Sequence, residues 1–466
     1  MMTMQTTISK ERPALDLRGR NILVVGLART GISTARFLKE RGAIVAATDI
    51  LPAHQIKGID DLRSNGIEVE TGGHSIKHFL NANLIILSPG VPPDIEPLKE
   101  ARKKGVEIIS EVELAFNFIK EPIVAIAGTN GKTTTTSLIG RILEADGNKV
   151  FVGGNIGLPL IEYVASNQSA IGGADYLVVE VSSFQLEGIR KFKPHVAILL
   201  NITEDHLDRY ASFDEYASVK FRLFENMEEG DVAIVNFDDA FINSKLKIQN
   251  SKLKVIPFSS SKILEEGVCY NDNSINYSVG GVKESYPTAN FKLKGIHNIE
   301  NIMASIAAAK ACGVSRDVIL KTIEEFKGLP HRMELIREIN GTSYYNDSKG
   351  TNIGALQKSL EGLNAPVILI AGGKDKGGDY RVLNDLIKNK VRYLILLGEA
   401  KNKIRDAFKG LTDIVTVESL KEAVDIASNK AEKGDVVLLS PACSSFDMFK
   451  DYKERGEVFR RLVETI

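Results

Sequence analysis

The strongest chemical signature in the chain is Gly128-Thr-Asn-Gly-Lys-Thr-Thr134, which follows the apolar run PIVAIA and opens a stretch of helical period, TTTTSLIGRILEADG. A strand that enters a glycine turn and leaves as a helix points backbone N–H groups at an anion, and the helix start adds positive potential. Lys132 supplies a mobile cation for β- and γ-phosphates, and Thr133 a hydroxyl for Mg²⁺. The segment is a short variant of the G-x-x-x-x-G-K-[ST] pattern: Ile126 stands where the first glycine would, and the turn begins at Gly128. Gly128, Thr129, Asn130, Gly131, Lys132, Thr133 and Thr134 are the candidate nucleoside-triphosphate loop.

Further candidates surround it in sequence. YLVVEVSSFQLE places Glu180 at the end of an apolar run, and LLNITEDHLDRY places His206 and three acids after another. A carboxylate and an imidazole at neighbouring strand ends beside a phosphate loop suit magnesium, which needs few protein ligands when phosphate oxygens complete its shell. Lys220 lies on a predicted amphipathic helix, where spacing alone predicts a solvent-facing side chain. Near the N-terminus, Gly26-Leu-Ala-Arg-Thr-Gly31 approximates a dinucleotide turn, with Asp49 ending the next predicted strand. Ala28 in the second glycine's place crowds the close approach of a dinucleotide's pyrophosphate, so the turn by itself is a weak dinucleotide signal. Late in the chain, NDSKGTN (346–352) and SPACSSFDMFKDYKERG (440–456) are dense in hydroxyls, acids and cations, and suit a small dicarboxylate or a ribose and phosphates.

These groups need α/β scaffolding. Apolar runs at 21–26, 44–49, 84–88 and 106–109 alternate with helical stretches, as do 122–128, 176–181, 196–200 and 232–236, and again 366–371, 393–397 and 435–440. Each series predicts a mostly parallel sheet. Residues 253–295 differ, with short alternating runs (INYSV, FKLKG) that predict a small antiparallel sheet. The predicted domains are 1–112, 113–328 and 329–466, consistent with 466 residues at roughly 100–200 per domain.

Composition excludes other classes. Lys plus Arg (59) nearly balance Asp plus Glu (60), so no basic field marks a nucleic-acid partner. Apolar runs fall well short of the roughly 20 residues that span a bilayer, and the charged N-terminus carries no secretory pattern. Three scattered cysteines without metal-ligand spacing fit a reduced, cytoplasmic setting, with Cys443 expected to be a small buried residue.

Taken in order, residues 122–137, EVSSFQLE (180–187), NITEDHLDRY (201–210), GIHNIEN (295–301), LPHRME (329–334), NDSKGTN and LLSPACSSFD (438–447) resemble the muramyl ligases. SSFQLE with NDSKGTN is similar to the branch that adds D-glutamate to UDP-N-acetylmuramoyl-L-alanine. The resemblance implies a Rossmann-like N-terminal domain for the uridine diphosphate, a central ATPase domain and a Rossmann-like C-terminal domain for the amino acid. It implies ATP and two magnesium ions, with catalytic Lys132, Glu180, His206 and Lys220. Thr133, Thr134, Glu180, His206 and Lys220, the last as a carbamate, would serve magnesium. Asn298, Asn301, Arg332 and Asp347 would join the loop in binding ATP. Thr30, Asp49, Gly90, Asn155, Ser182 and Gln185 would bind the UDP substrate, and Lys349, Thr351, Lys376, Ser445 and Tyr452 D-glutamate. GGKDKGGDY, which contains Lys376, matches more loosely than its neighbours. A monomer that closes its C-terminal domain around its ligands is expected. The alternative is another Mur-type or folylpolyglutamate synthase-like ligase with a different acceptor. An NAD-dependent oxidoreductase leaves the phosphate loop unexplained, and a nucleotide-binding switch needs no acceptor loops.

Overall fold

The computed structural model describes residues 15–166, 173–205, 209–246, 253–375 and 377–466. His206 and Lys376 therefore lie outside the described residues. Three sheets follow one another along the chain, each built from short apolar runs of the kind that fill a buried parallel strand.

The first sheet contains β1 (Asn21–Val25), β2 (Ile44–Asp49), β3 (Glu68–Thr71), β4 (Leu84–Leu87) and β5 (Glu107–Ser110). All its pairings are parallel, in the order β3-β2-β1-β4-β5. The order reverses at β1, so the turns after β1 and β4 open a crevice at one edge. The helix Glu111–Phe116 follows β5 and is buried along its whole length. The expected boundary at residue 112 falls inside it. Its Glu113 carboxylate accepts the backbone N–H groups of Arg190, Lys191 and Phe192, and one continuous apolar core runs from the first sheet into the second.

The second sheet holds nine strands: β6 (Ile123–Ala127), β7 (Val150–Gly154), β8 (Tyr176–Glu180), β9 (Val196–Leu199), β10 (Val232–Asn236), β11 (Lys254–Ser259), β12 (Gly267–Asn271), β13 (Ser274–Val279) and β14 (Val282–Pro287). The order is β14-β13-β12-β11-β10-β9-β6-β8-β7. The antiparallel strands β12 to β14 extend this sheet and do not form one of their own, because β12 pairs parallel with β11. FKLKG is not a strand: Phe291 is buried in the core while the chain runs irregularly into the helix Ile296–Ala311. The ends of the adjacent strands β8, β6 and β9 bring Glu180, the phosphate loop and Asn201–Asp205 to one edge.

The third sheet contains β15 (Glu334–Ile339), β16 (Thr342–Asn346), β17 (Val367–Gly372), β18 (Val391–Leu397), β19 (Asp413–Thr416) and β20 (Val436–Leu439), in the order β15-β16-β20-β17-β18-β19. Only β15 with β16 is antiparallel. NDSKGTN leaves β16 and SPACSS leaves its neighbour β20, so adjacency in the sheet places the two polar loops side by side. No described helix is long and apolar enough to cross a membrane.

Candidate active site

Gly128 (φ 145°) and Gly131 (φ 85°) turn the chain from β6 into the helix Lys132–Ala145. A Cβ on Gly131 would stand 2.2 Å from Asn301 Oδ1, so the loop is pressed against the helix Ile296–Ala311 and only glycine fits. Asn201 fixes the loop from β9: its carbonyl accepts Thr129 N–H at 2.9 Å, and its side chain exchanges bonds with Asn130 N–H and C=O at 2.8 and 3.1 Å. Thr129 Oγ1 donates to Thr203 C=O at 3.1 Å and accepts Thr203 N–H at 3.0 Å. Lys132 Nζ donates to the loop carbonyls of Gly128 and Thr129, both at 2.8 Å.

Thr133 is the point of convergence. Its hydroxyl donates to Glu180 Oε2 at 2.8 Å and accepts from Arg332 Nη2 at 3.0 Å and Lys349 Nζ at 2.9 Å. Asn155 Nδ2 donates to the other Glu180 oxygen at 2.9 Å. Glu180 is only 2% exposed, so its charge faces these partners and not bulk water. Burial, and then the neighbouring Arg332, bring the Lys349 amine down to about 7. Thr134 is buried in the first turn of the helix Lys132–Ala145.

Lys220 corrects the spacing argument. It is 2% exposed, donates from Nζ to Gly128 C=O at 3.0 Å, and lies 4.6 Å from the centroid of the Tyr216 ring. Burial, and then Lys132, hold its amine well below the ordinary lysine range. The helix Phe213–Phe221 buries Tyr216, Ala217 and Lys220 on one side, so Lys220 faces inward where spacing alone predicts a solvent-facing side chain.

The third domain contributes through strained backbone. His331 (φ 64°) and Met333 (φ 42°) flank Arg332 and aim it at the phosphate loop, a conformation costing on the order of 1 kcal/mol per residue. Asp347 is fully enclosed, accepting from Ser359 and Ser440 hydroxyls at 2.8 Å each, and burial raises its carboxyl to about 6. Asn298 and Asn301 are buried on their helix, with Asn301 Oδ1 accepting from Thr135 at 3.3 Å and Asn301 Nδ2 donating to Asn298 Oδ1 at 3.4 Å.

Lys349 Nζ stands 5.0 Å from the centroid of the Tyr452 ring, while Ser445 is buried and Thr351 half-buried nearby in chain. The two polar loops are also joined by Arg455, a residue absent from the sequence candidates. It is 2% exposed and donates to Ser348 Oγ and C=O at 3.0 and 2.8 Å and to the Cys443 and Ser444 carbonyls at 3.2 and 3.3 Å. A buried arginine one turn into a helix carries no distinctive local pattern. Cys443 is fully buried, as expected.

Of the remaining candidates, Asp49, Thr30 and Gly90 lie on the first sheet, and Ser182 and Gln185 follow β8 of the second. Asp49 accepts Leu27 N–H at 2.6 Å and Leu51 N–H at 2.8 Å, tying the turn after β1 to the end of β2. Thr30 is half-buried in the first turn of the helix Arg29–Glu40, and Gly90 is exposed after β4. Ser182 and Gln185 bond to each other as a capping box for the short helix Ser183–Leu186.

A phosphate loop facing a carboxylate from its own sheet and cations from a third domain is the arrangement of a ligase that activates one substrate with a nucleotide and meets the second on another domain. The chain belongs to the Mur ligase family: models for the Mur ligase MurD-like N-terminal domain, the Mur ligase middle domain and the Mur ligase glutamate ligase domain match residues 20–110, 126–309 and 331–443. It is 50% identical to the UDP-N-acetylmuramoylalanine--D-glutamate ligase of Geotalea uraniireducens, over 97% of this chain and 99% of that one. The enzyme of the same name from Geobacter sp. strain M21 is also 50% identical, over 96% and 98%. Among solved structures, a pseudomurein peptide ligase type C from Methanothermus fervidus shares the fold at TM-score 0.61 and 20% identity, covering 96% of this chain and all of that one. UDP-N-acetylmuramate-alanine ligase MurC from Thermotoga maritima does so at 0.58 and 19%, covering 96% and 99%.

Proposed function

We propose that this chain is the ATP-dependent ligase that joins D-glutamate to UDP-N-acetylmuramoyl-L-alanine, a cytoplasmic step in peptidoglycan precursor synthesis. The observation that carries the reading is Thr133, whose hydroxyl meets Glu180 of the central domain and Lys349 and Arg332 of the third. The sugar nucleotide is held by Thr30, Asp49 and Gly90 of residues 1–112 together with Asn155, Ser182 and Gln185 of the central domain. Residues 113–328 hold ATP, with Arg332 and Asp347 reaching in from residues 329–466, and Lys349, Thr351, Lys376, Ser445 and Tyr452 hold D-glutamate.

A carboxylate does not condense with an amine at neutral pH, because oxide would have to leave. The γ-phosphoryl group of ATP passes to the alanyl carboxylate, breaking the bond to ADP and forming an acyl phosphate. The D-glutamate nitrogen then attacks the carbonyl carbon, phosphate departs with the C–O electron pair, and the amine gives up its proton. Lys132 and Arg332 neutralise charge on the transferring group, and the amides of the Gly128–Lys132 turn orient it. Lys349 and Tyr452 place the acceptor beside it.

The donor set fits magnesium: a buried carboxylate and a threonine hydroxyl lie 2.8 Å apart at a helix start. Two such ions, when bound, supply charge neutralisation for phosphoryl transfer. Glu180, Thr133, Thr134, His206 and a carbamate on Lys220 would hold them. The carbamate has a physical basis in the burial of Lys220, since only a neutral amine captures CO₂.

Phosphate release measured with UDP-N-acetylmuramoyl-L-alanine and each of D-glutamate, L-lysine, diaminopimelate and a glutamyl folate tests the reading. Release requiring D-glutamate is expected; release indifferent to it sinks the assignment.

A further inference from the structure

The ion pair of Arg209 with Glu187 takes part in none of these steps, yet it is one of the most shielded on the molecule, with side chains 11% and 16% exposed. Arg209 Nε and Nη2 donate to the two Glu187 oxygens at 3.2 and 2.6 Å. The guanidinium lies 4.1 Å over the Phe184 ring, and Tyr210 OH donates to Glu187 Oε1 at 2.6 Å. The third arm leaves the central domain: Nη1 donates to Pro89 C=O at 3.0 Å, in the Ser88-Pro89-Gly90 turn after β4. The same turn reaches the nucleotide-type turn of the first sheet, where Ser88 Oγ donates to Gly26 C=O at 2.8 Å.

Asp205, four residues before Arg209, contacts the third domain. Asp205 Oδ2 accepts from Asn352 Nδ2 at 3.1 Å, and Asn352 caps the helix Ile353–Glu361 that follows NDSKGTN. Asn201 thus reaches the phosphate loop, Asp205 the acceptor domain and Arg209 the first domain. A planar guanidinium serves three directed acceptors at once, whereas an ammonium on a flexible stem does not. Removing one partner of a shielded pair leaves the other charge uncompensated, so breaking this contact costs more than breaking an exposed ion pair.

We infer that Arg209 is a positioning residue for the sugar-nucleotide substrate. It clamps the Ser88–Gly90 turn to the central domain, fixing where the first domain's ligand lies relative to the phosphate loop. This rests on the proposed sugar-nucleotide site. Its signature is selectivity: loosening the clamp affects the substrate carried by the first domain and spares the other two.

The test is Arg209→Lys, with Glu187→Gln as the partner variant that keeps size and removes charge. Calorimetric binding of UDP-N-acetylmuramoyl-L-alanine is expected to weaken about tenfold in Arg209→Lys and less in Glu187→Gln. KM for the sugar nucleotide should rise in parallel, with KM for ATP and D-glutamate within about twofold of wild type. An unchanged Kd for the sugar nucleotide overturns the inference, and so does a joint rise of all three KM values with a lowered Tm. A wild type that binds the sugar nucleotide without D-glutamate-dependent phosphate release refutes the proposed function, and the Kd comparison still decides the role of Arg209.

Discussion

The turn after β1, Gly26 to Gly31, and the turn after β6, Gly128 to Thr133, both lead a buried parallel strand through a positive-φ glycine into a helix. They differ in what meets the freed amides. In the first, the Asp49 carboxylate already accepts Leu27 N–H at 2.6 Å. In the second, Lys132, Arg332 and Lys349 crowd the helix start and Glu180 is held through Thr133. One backbone geometry therefore serves two electrostatic settings. The cationic turn suits a triphosphate, and the turn closed by a carboxylate suits a ligand recognised through hydroxyls and ring edges.

The largest effect should come from the buried amine behind the cationic turn. Lys220→Ala is expected to lower kcat at least about a thousandfold, with partial recovery on adding formate or acetate in place of the carbamate. Wild-type turnover in that variant would contradict the carbamate. Equivalent glycine substitutions should separate the turns next. In Gly131→Ala the new Cβ stands 2.2 Å from Asn301 Oδ1, and ATP binding should weaken about a hundredfold. In Gly31→Ala it stands 1.9 Å from Gly26 C=O, so the expected outcome is a lowered Tm by calorimetry with ATP affinity retained.

Asp49→Asn tests the carboxylate side: KM for the sugar nucleotide should rise about tenfold while KM for ATP stays put. A matching rise in both would erase the distinction between the two turns.

The smallest effect concerns the helix joining the two domains. Glu111 is fully buried there, its Oε1 accepting Ile161 N–H at 2.6 Å, and burial raises its carboxyl to about 7. The folded protein then holds a proton that the unfolded chain, with an ordinary carboxyl near 4.5, has released. Stability from this group falls as pH rises from about 4.5 through 7. Glu111→Gln should flatten that slope and raise Tm at about pH 8, measured by melting curves across the range.

The cationic turn was legible in the sequence because strand, glycine and helix are contiguous, and local pattern reports contiguous geometry well. Much of the parallel sheets was legible for the same reason, since β1, β4, β6, β8, β9, β10, β17, β18 and β20 are built on short apolar runs, whereas β3, β7 and β19 are not marked by one. Lys220 was misread by spacing: its helix turns a lysine inward, and side-chain direction depends on what the helix packs against. The β15–β16 hairpin, polar and with one face of β16 buried, lacks the apolar run that marks β17, β18 and β20. Asn201, Arg209 and Arg455 were illegible as organisers because each acts on partners far along the chain, Arg455 on Ser348 and Arg209 on Pro89. Polar residues that hold loops together are defined by the loops, and sequence shows the two only separately.

Isotope transfer tests the central claim most directly. With ¹⁸O in the alanyl carboxylate of UDP-N-acetylmuramoyl-L-alanine, phosphoryl transfer to that carboxylate predicts one ¹⁸O in each phosphate released in the presence of D-glutamate and ATP. Phosphate released without ¹⁸O would mean that the cationic turn hydrolyses ATP without activating the acid, and the ligase account would fall.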